Sequence, residues 1–137
     1  WSLYIDESGK PTYHYNWLGH VHSVAGDTQA LQAGRHEIVV DFAYDGGFGA
    51  GGVATLYVDD REAGSVRIDK TVPLVYSMSG ETFDIGVDTG SPVGNYAHLF
   101  TCTADIVGVT IERLDEPSAA TKQKMREGEF KASISTQ

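Results

Sequence analysis

Residues 36–60 read HEIVVDFAYDGGFGAGGVATLYVDD, two strand-like runs joined by a stretch made almost wholly of glycine. In the first run Ile38, Val40, Phe42 and Tyr44 alternate with Glu37, Val39, Asp41 and Ala43. In the second, Ala54, Leu56 and Val58 alternate with Val53, Thr55 and Tyr57. A period of two sends one set to each face of a sheet, whereas a helix needs a period of 3.6. Glycine accepts positive φ, so residues 45–52 are expected to reverse the chain as a wide, backbone-rich loop. The second run stops at the polar turn Asp59, Asp60 and Arg61 and resumes over 64–69. A three-stranded antiparallel meander at the centre of the domain follows.

The 137 residues suffice for one domain that buries a core without metal or disulfide staples. With 16 glycines, seven tyrosines and turn signals at short intervals, the chain is expected to be all-β, an antiparallel two-sheet β-sandwich. A net charge of −9 argues against nucleic acid and anionic membrane as partners, since both are bound by basic surfaces. Cys102 is the single cysteine, so no intrachain disulfide forms. It lies in T-C-T-A-D with no basic neighbour, which suits a buried, inert thiol. There is no apolar run of membrane length.

WSLYI at 1–5 reads as a strand from its first residue, which implies a domain truncated at its N-terminus. DESGKP at 6–11 is a turn, and 12–18 a second strand with Tyr13, Tyr15 and Trp17 on one face. These rings are expected in the core, the alternative being a platform on which a sugar stacks. In G-H-V-H, His20 and His22 fall on the same side of a strand with His14 near in sequence, a spacing that can share zinc or copper. Without further ligands at diagnostic spacing, solvent-facing histidines are the plainer expectation. Residues 26–35 form a polar connector, and LVYS at 74–77 another short strand.

Asp84 and Asp88 lie four apart in a strand-like run and project from one face, followed by Thr89, Gly90, Ser91 and Pro92. Such oxygens suit calcium, yet aspartate before Gly, Thr or Ser is also ordinary turn chemistry, and no cofactor is expected in this chain beyond that possibility of calcium. Lacking a D-x-D-x-D-G loop, the turn reading is preferred. FTCTADIVGVTIE at 100–112 is expected to be the last strand, closing a sheet with Val107, Val109 and Ile111 buried beside Ile38, Val40, Phe42, Leu56 and Val58. Residues 1–116 carry a net charge of −11 and residues 117–137 a net +2, a sign asymmetry that marks a tail. Within it, Pro117 at a helix start and Lys122, Lys124 and Arg126 before Gly128 predict a short C-terminal helix. Residues 1–116 are thus the β-sandwich domain and 117–137 a helix and tail.

The segments F-A-Y-D-G-G, T-L-Y-V-D and T-V-P-L-V-Y-S occur in this order between Phe42 and Ser77. W-S-L-Y-I-D and Y-H-Y-N-W-L-G precede them, and F-D-I-G-V-D-T-G-S-P-V follows at 83–93. Together, over about residues 1 to 112, they resemble the C-terminal accessory region of large bacterial arylsulfatases. The resemblance implies a jelly-roll, concanavalin A-like sandwich packed on a sulfatase catalytic domain in the same polypeptide, in bacterial cytoplasm or periplasm. Sulfatases carry a Cys/Ser-x-Pro/Ser-x-Arg signature modified to formylglycine; Cys102 does not match it, so this chain alone is expected to be no enzyme. The runner-up is a free-standing lectin-like carbohydrate-binding module, for which aromatic rings must line an exposed face. A carbohydrate or sulfate ester is the substrate class for either. The expected partner interface joins the glycine-rich loop, with Asp45 and Phe48, to the 88–92 loop, with Asp88, Thr89 and Ser91.

Overall fold

The computed structural model describes residues 1–73 and 83–113. Strands β1 (Ser2–Ile5), β2 (Pro11–Trp17), β3 (Val21–Gly26), β4 (Ile38–Tyr44), β5 (Ala50–Val58) and β6 (Arg61–Lys70) follow in chain order. They make two antiparallel three-stranded sheets, β1-β2-β3 and β4-β5-β6. The described residues are all-β, and the expected central meander is the second sheet.

Local chemistry sets each reversal. The Asp6 carboxylate accepts the Ser8 and Lys10 amides at 2.8 and 2.9 Å and closes the β1–β2 turn. Asp59 and Asp60 both have positive φ, 50° and 62°, the two-residue hairpin geometry that matches strand twist between β5 and β6. The glycine-rich segment is narrower than its composition implies. Residues 50–52 belong to β5, so only 45–49 remain as loop. Gly52 pairs with Tyr44, and a Cβ there would lie 2.6 Å from the Phe42 ring. That glycine is a seat for an aromatic side chain as well as a source of flexibility.

The register Val40↔Leu56 and Phe42↔Ala54 puts the period-two set on the inner face of the meander. Ala54, Leu56, Val58 and Ile68 are buried there. Across from them, Tyr13 and Tyr15 of β2 are buried against Ala54 and Ile68, with Trp17, Val40, Val66 and Val72 at the margin. The face of β2 bearing the rings is therefore core, as expected. Gly64 of β6 permits the closest approach of the sheets, since a Cβ there would meet the Gly26 carbonyl oxygen at 2.8 Å. On the opposite face of β1 and β2, residues 83–101 act as a strap. Tyr96 and Phe100 meet Tyr4 edge-to-face at 4.7 and 6.0 Å between ring centres, and the Asn16 amide donates to the Val93 carbonyl at 3.3 Å.

Three expectations are corrected. Residues 100–112 do not form a closing strand: Thr101 makes a single bridge to Val87, and Val107, Val109 and Ile111 are 77%, 52% and 67% exposed. Alternation makes a segment able to pair but says nothing of which neighbour has a free edge. Phe42 is exposed at 36% because β2 and β3 lie over β5 and β6, leaving β4 at the uncovered side. Ile38 and Val40 are half-buried for the same reason. Asp84 and Asp88 sit in a loop rather than a strand. The expected strand at 74–77 and the C-terminal helix lie outside the described residues.

Truncation should discriminate between the two apolar sets. We expect Leu56→Ala to cost about 3 kcal/mol of unfolding free energy, against less than about 0.5 kcal/mol for Val109→Ala, by urea denaturation.

Candidate functional site

The strands converge on two ends, and each end carries a cleft. At one end, the C-terminus of β2, the 45–49 loop and the segment after β6 meet. Tyr15, buried through its ring, accepts the Val72 amide on its hydroxyl oxygen at 2.7 Å and so fixes the start of that segment. Gly49, at φ 64°, sits against Pro73, where a Cβ would approach the proline ring at 3.3 Å. Val72 in turn lines a cleft of about 170 Å³ with Trp1, Asn16, Leu18, Ser91 and Pro92. The glycine-rich loop and the 88–92 loop, far apart in sequence, thus flank the Val72 and Pro73 segment. Leu18 is 56% exposed and Trp1 47% exposed at this rim, while Phe48 is half-buried.

The polar residues of these loops hold the loops themselves. Asp45 makes a two-pronged ion pair with Arg67, one arm of it 3.1 Å long, which ties the loop's first residue to β6 and holds its carboxyl below the usual range. The Asp84 carboxylate accepts both the amide and the hydroxyl of Thr89, at 2.9 and 2.6 Å. Asp88 accepts the Gly90 amide at 3.1 Å and the Tyr96 hydroxyl at 2.7 Å. These carboxylates are turn caps and strap anchors, consistent with the turn reading. Among the described residues no group of three or more His, Cys, Asp or Glu is placed to hold a metal ion.

The histidines also part company with expectation. His20 lies in the β2–β3 turn against the Trp17 ring at 6.2 Å, so it does not share a strand face with His22. His22 instead meets His14 across the ladder, Nδ1 to Nε2 at 2.7 Å. Strand pairing brings together residues eight apart more closely than those two apart. Burial, then the neighbouring His22, pushes the His14 imidazole below its ordinary value. The neutral form belongs to the folded state.

At the other end a cleft of about 310 Å³ is lined by Asp27, Gln29, Leu31, Gln32, His36 and Arg61, among others. From the sequence, Asp27 to Gln32 fall in the 26–35 connector and Arg61 in a turn, with no site expected there. The signal was present in the hairpin register, which places the residues before Ile38 beside those after Val58. His36 Nδ1 lies 2.7 Å from an Asp59 oxygen, and its Nε2 lies 2.8 Å from the Gln32 carbonyl. Both partners are acceptors, so the ring donates twice as an imidazolium, and the Asp59 bond first, then the Gln32 bond, raise its pKa. An imidazolium so held is a clasp on the connector and not a general base. Burial pushes Asp27 upward, but the Arg61 guanidinium at 2.6 Å, with the Gln29 and Thr28 amides, outweighs it and leaves the carboxyl below its usual range. The Asp27 side chain is 1% exposed and Arg61 45% exposed, so the cation screens a carboxylate that water cannot reach. The charges of this cleft satisfy one another, Asp27 with Arg61 and Asp59 with His36.

Comparison with protein-family descriptions, with curated proteins and with solved structures returns no match for this chain.

Removing Arg61 strands a buried carboxylate, so Arg61→Ala should cost about 2 kcal/mol. Adding Asp27→Asn should recover part of that loss, measured by a double-mutant cycle in urea. The two histidines bend the pH profile in opposite directions. His14, depressed on folding, contributes stability that is complete above 6.5 and lost as pH falls toward its folded value. His36, raised on folding, contributes stability that is complete below 6.5 and lost as pH rises through its folded value. We expect His14→Phe to flatten the acid limb and His36→Gln the alkaline limb of thermal midpoint against pH.

Proposed function

We propose that this chain is a non-catalytic accessory domain that packs on a sulfatase-type catalytic domain, the 45–49 and 88–92 loops meeting that partner. The observation that carries this reading is the convergence of both loops on one end of the strands, around Val72 and Pro73, beside the exposed Leu18 and Trp1. Apolar groups clustered at loop tips around a shallow cleft suit contact with a protein surface. The fate of the aromatic residues supports it too. A sugar binder needs rings in line on an open face, and Tyr13 and Tyr15 are buried between the sheets. A jelly-roll, concanavalin A-like arrangement and the helix after Pro117 belong to the same proposal, as does a parent polypeptide that hydrolyses sulfate esters. This chain contributes packing to that activity and no catalytic residue.

Sequencing the coding region upstream of Trp1 tests the assignment. A Cys/Ser-x-Pro/Ser-x-Arg signature is expected there, and a parent gene without one overturns it. The surface is tested by Phe48→Ser, which should change the stability of the isolated domain by less than about 1 kcal/mol while weakening its association with the separately expressed upstream domain. A large loss of thermal stability would make Phe48 a lid on its own core instead. Binding of the isolated chain to a glycan array, abolished by changes at Trp1 or Phe42, would favour the lectin-like alternative.

A further inference from the structure

The meander ends at an edge that nothing among the described residues covers. β4 pairs only with β5, and it carries seven residues, IVVDFAY, with no proline, lysine or bulge. Soluble proteins commonly protect an edge of this length with one of those devices. The direction of its free groups follows from the ladder. The Asp45 amide donates to the Gly51 carbonyl at 3.0 Å and the Asp59 amide to the Glu37 carbonyl at 2.9 Å, so the odd-numbered positions face β5. In an antiparallel pair the alternate residues turn their N–H and C=O groups the other way. Ile38, Val40, Phe42 and Tyr44 therefore direct amides and carbonyls outward, and on the same side of the sheet the Phe42 and Tyr44 rings are 36% and 40% exposed.

The same chain displays the complement. Residues 106–112, IVGVTIE, have the period-two pattern of a half-buried strand, with Val107, Val109 and Ile111 on one side and Gly108, Thr110 and Glu112 on the other. Among the described residues no backbone hydrogen bond joins this segment to a neighbour, and Val107, Val109 and Ile111 are more than half exposed while Ile106, on the other side and beside Gly86, is 44% exposed. Among the described residues, a segment with a strand's pattern lies outside both sheets and a sheet edge lacks a neighbour, each seven residues long. If the segment lies along β4, Val107, Val109 and Ile111 extend the apolar face begun by Phe42 and Tyr44, while Thr110 and Glu112 stay in water beside Asp41.

We propose that residues 106–112 of one copy add as a fourth strand to the β4 edge of a second copy, reciprocally, so that two exchanges close a symmetric dimer. Reciprocity matters because each copy offers one donor and one edge, and a two-fold operation uses both. The edge adjoins the loop assigned above to the catalytic partner only at Tyr44, whose hydroxyl donates to the Gly47 carbonyl, and its test uses this chain alone, so the two readings fail separately.

Sedimentation velocity on the full chain at micromolar concentration tests it, with Val109→Lys as the variant and hydrogen exchange as the second readout. The wild-type chain should sediment as a dimer whose thermal midpoint rises with protein concentration, and Val109→Lys as a folded monomer whose midpoint does not, since Val109 supports no described part of the fold. In the wild type the amides of Val40, Phe42 and Tyr44 should exchange slowly, and in the variant at least tenfold faster, whereas those of Val39, Asp41 and Ala43 keep their protection. A synthetic peptide of residues 104–113 should convert the wild-type dimer to a peptide-bound monomer. A monomeric wild type overturns the proposal, as does a dimer that survives Val109→Lys, or open-ended oligomers in place of a dimer. Protection of the outward β4 amides in a monomer would assign the edge to the chain's own segment and overturn it equally.

Discussion

The burial of Tyr13 and Tyr15 against Ala54 and Ile68 is the contact on which both ends of the molecule depend. Two large rings on β2 meet a floor kept low by alanine and glycine, so the sheets approach closely without leaving a void. Gly64 against the Gly26 carbonyl completes the same device where β6 passes β3. A side chain at Gly64 would have to displace backbone, which is harder to move than another side chain. The rings also carry polar ends, and Tyr15 uses its hydroxyl to hold the Val72 amide at 2.7 Å. Core packing and the position of the loop-bearing end are thereby one constraint.

Polar side chains do the remaining work of connection. Asp6, Asp45, Asp59, Asp84 and Asp88 each accept hydrogen bonds that close a turn or tie a loop to a strand. In a chain of net charge −9 that number of anions invites mutual repulsion, and local hydrogen bonding is how the fold accommodates them. Asp27 differs, being buried with Arg61 as its counterion, so its contribution depends on a partner from a distant strand. The histidine pairs divide along the same line. His36 is held charged by acceptors at the surface, and His14 is held neutral by burial under the strap.

The uneven cover of the second sheet explains why apolar groups remain at the surface. The first sheet shields β5 and β6, and the alternating pattern of β4 loses its burial toward Tyr44. A β-strand exposes both a face and a line of backbone groups when it ends a sheet, as β4 does among the described residues. The cleft end, by contrast, offers side chains, with Leu18 and Trp1 exposed at its rim.

The sequence by itself determined the strands, because their signals are local. The alternation from Ile38 to Tyr44, the return through Ala54 to Val58, the Asp59 and Asp60 turn, and the ring-bearing face of β2 all follow from side-chain period and turn chemistry. The capping roles of Asp84 and Asp88 were legible for the same reason, since the capped Thr89 and Gly90 amides lie within five residues, whereas the Tyr96 hydroxyl eight residues on was not. Only the tertiary structure decided the partners. It paired His14 with His22 instead of His20 with His22, joined Asp27 to Arg61 across 34 residues, and brought two loops together around Val72. It also left residues 106–112 outside both sheets although their pattern is that of a core strand. Alternation states which side of a strand is apolar, whereas the choice of neighbour depends on which edge is free after the longest loops have closed.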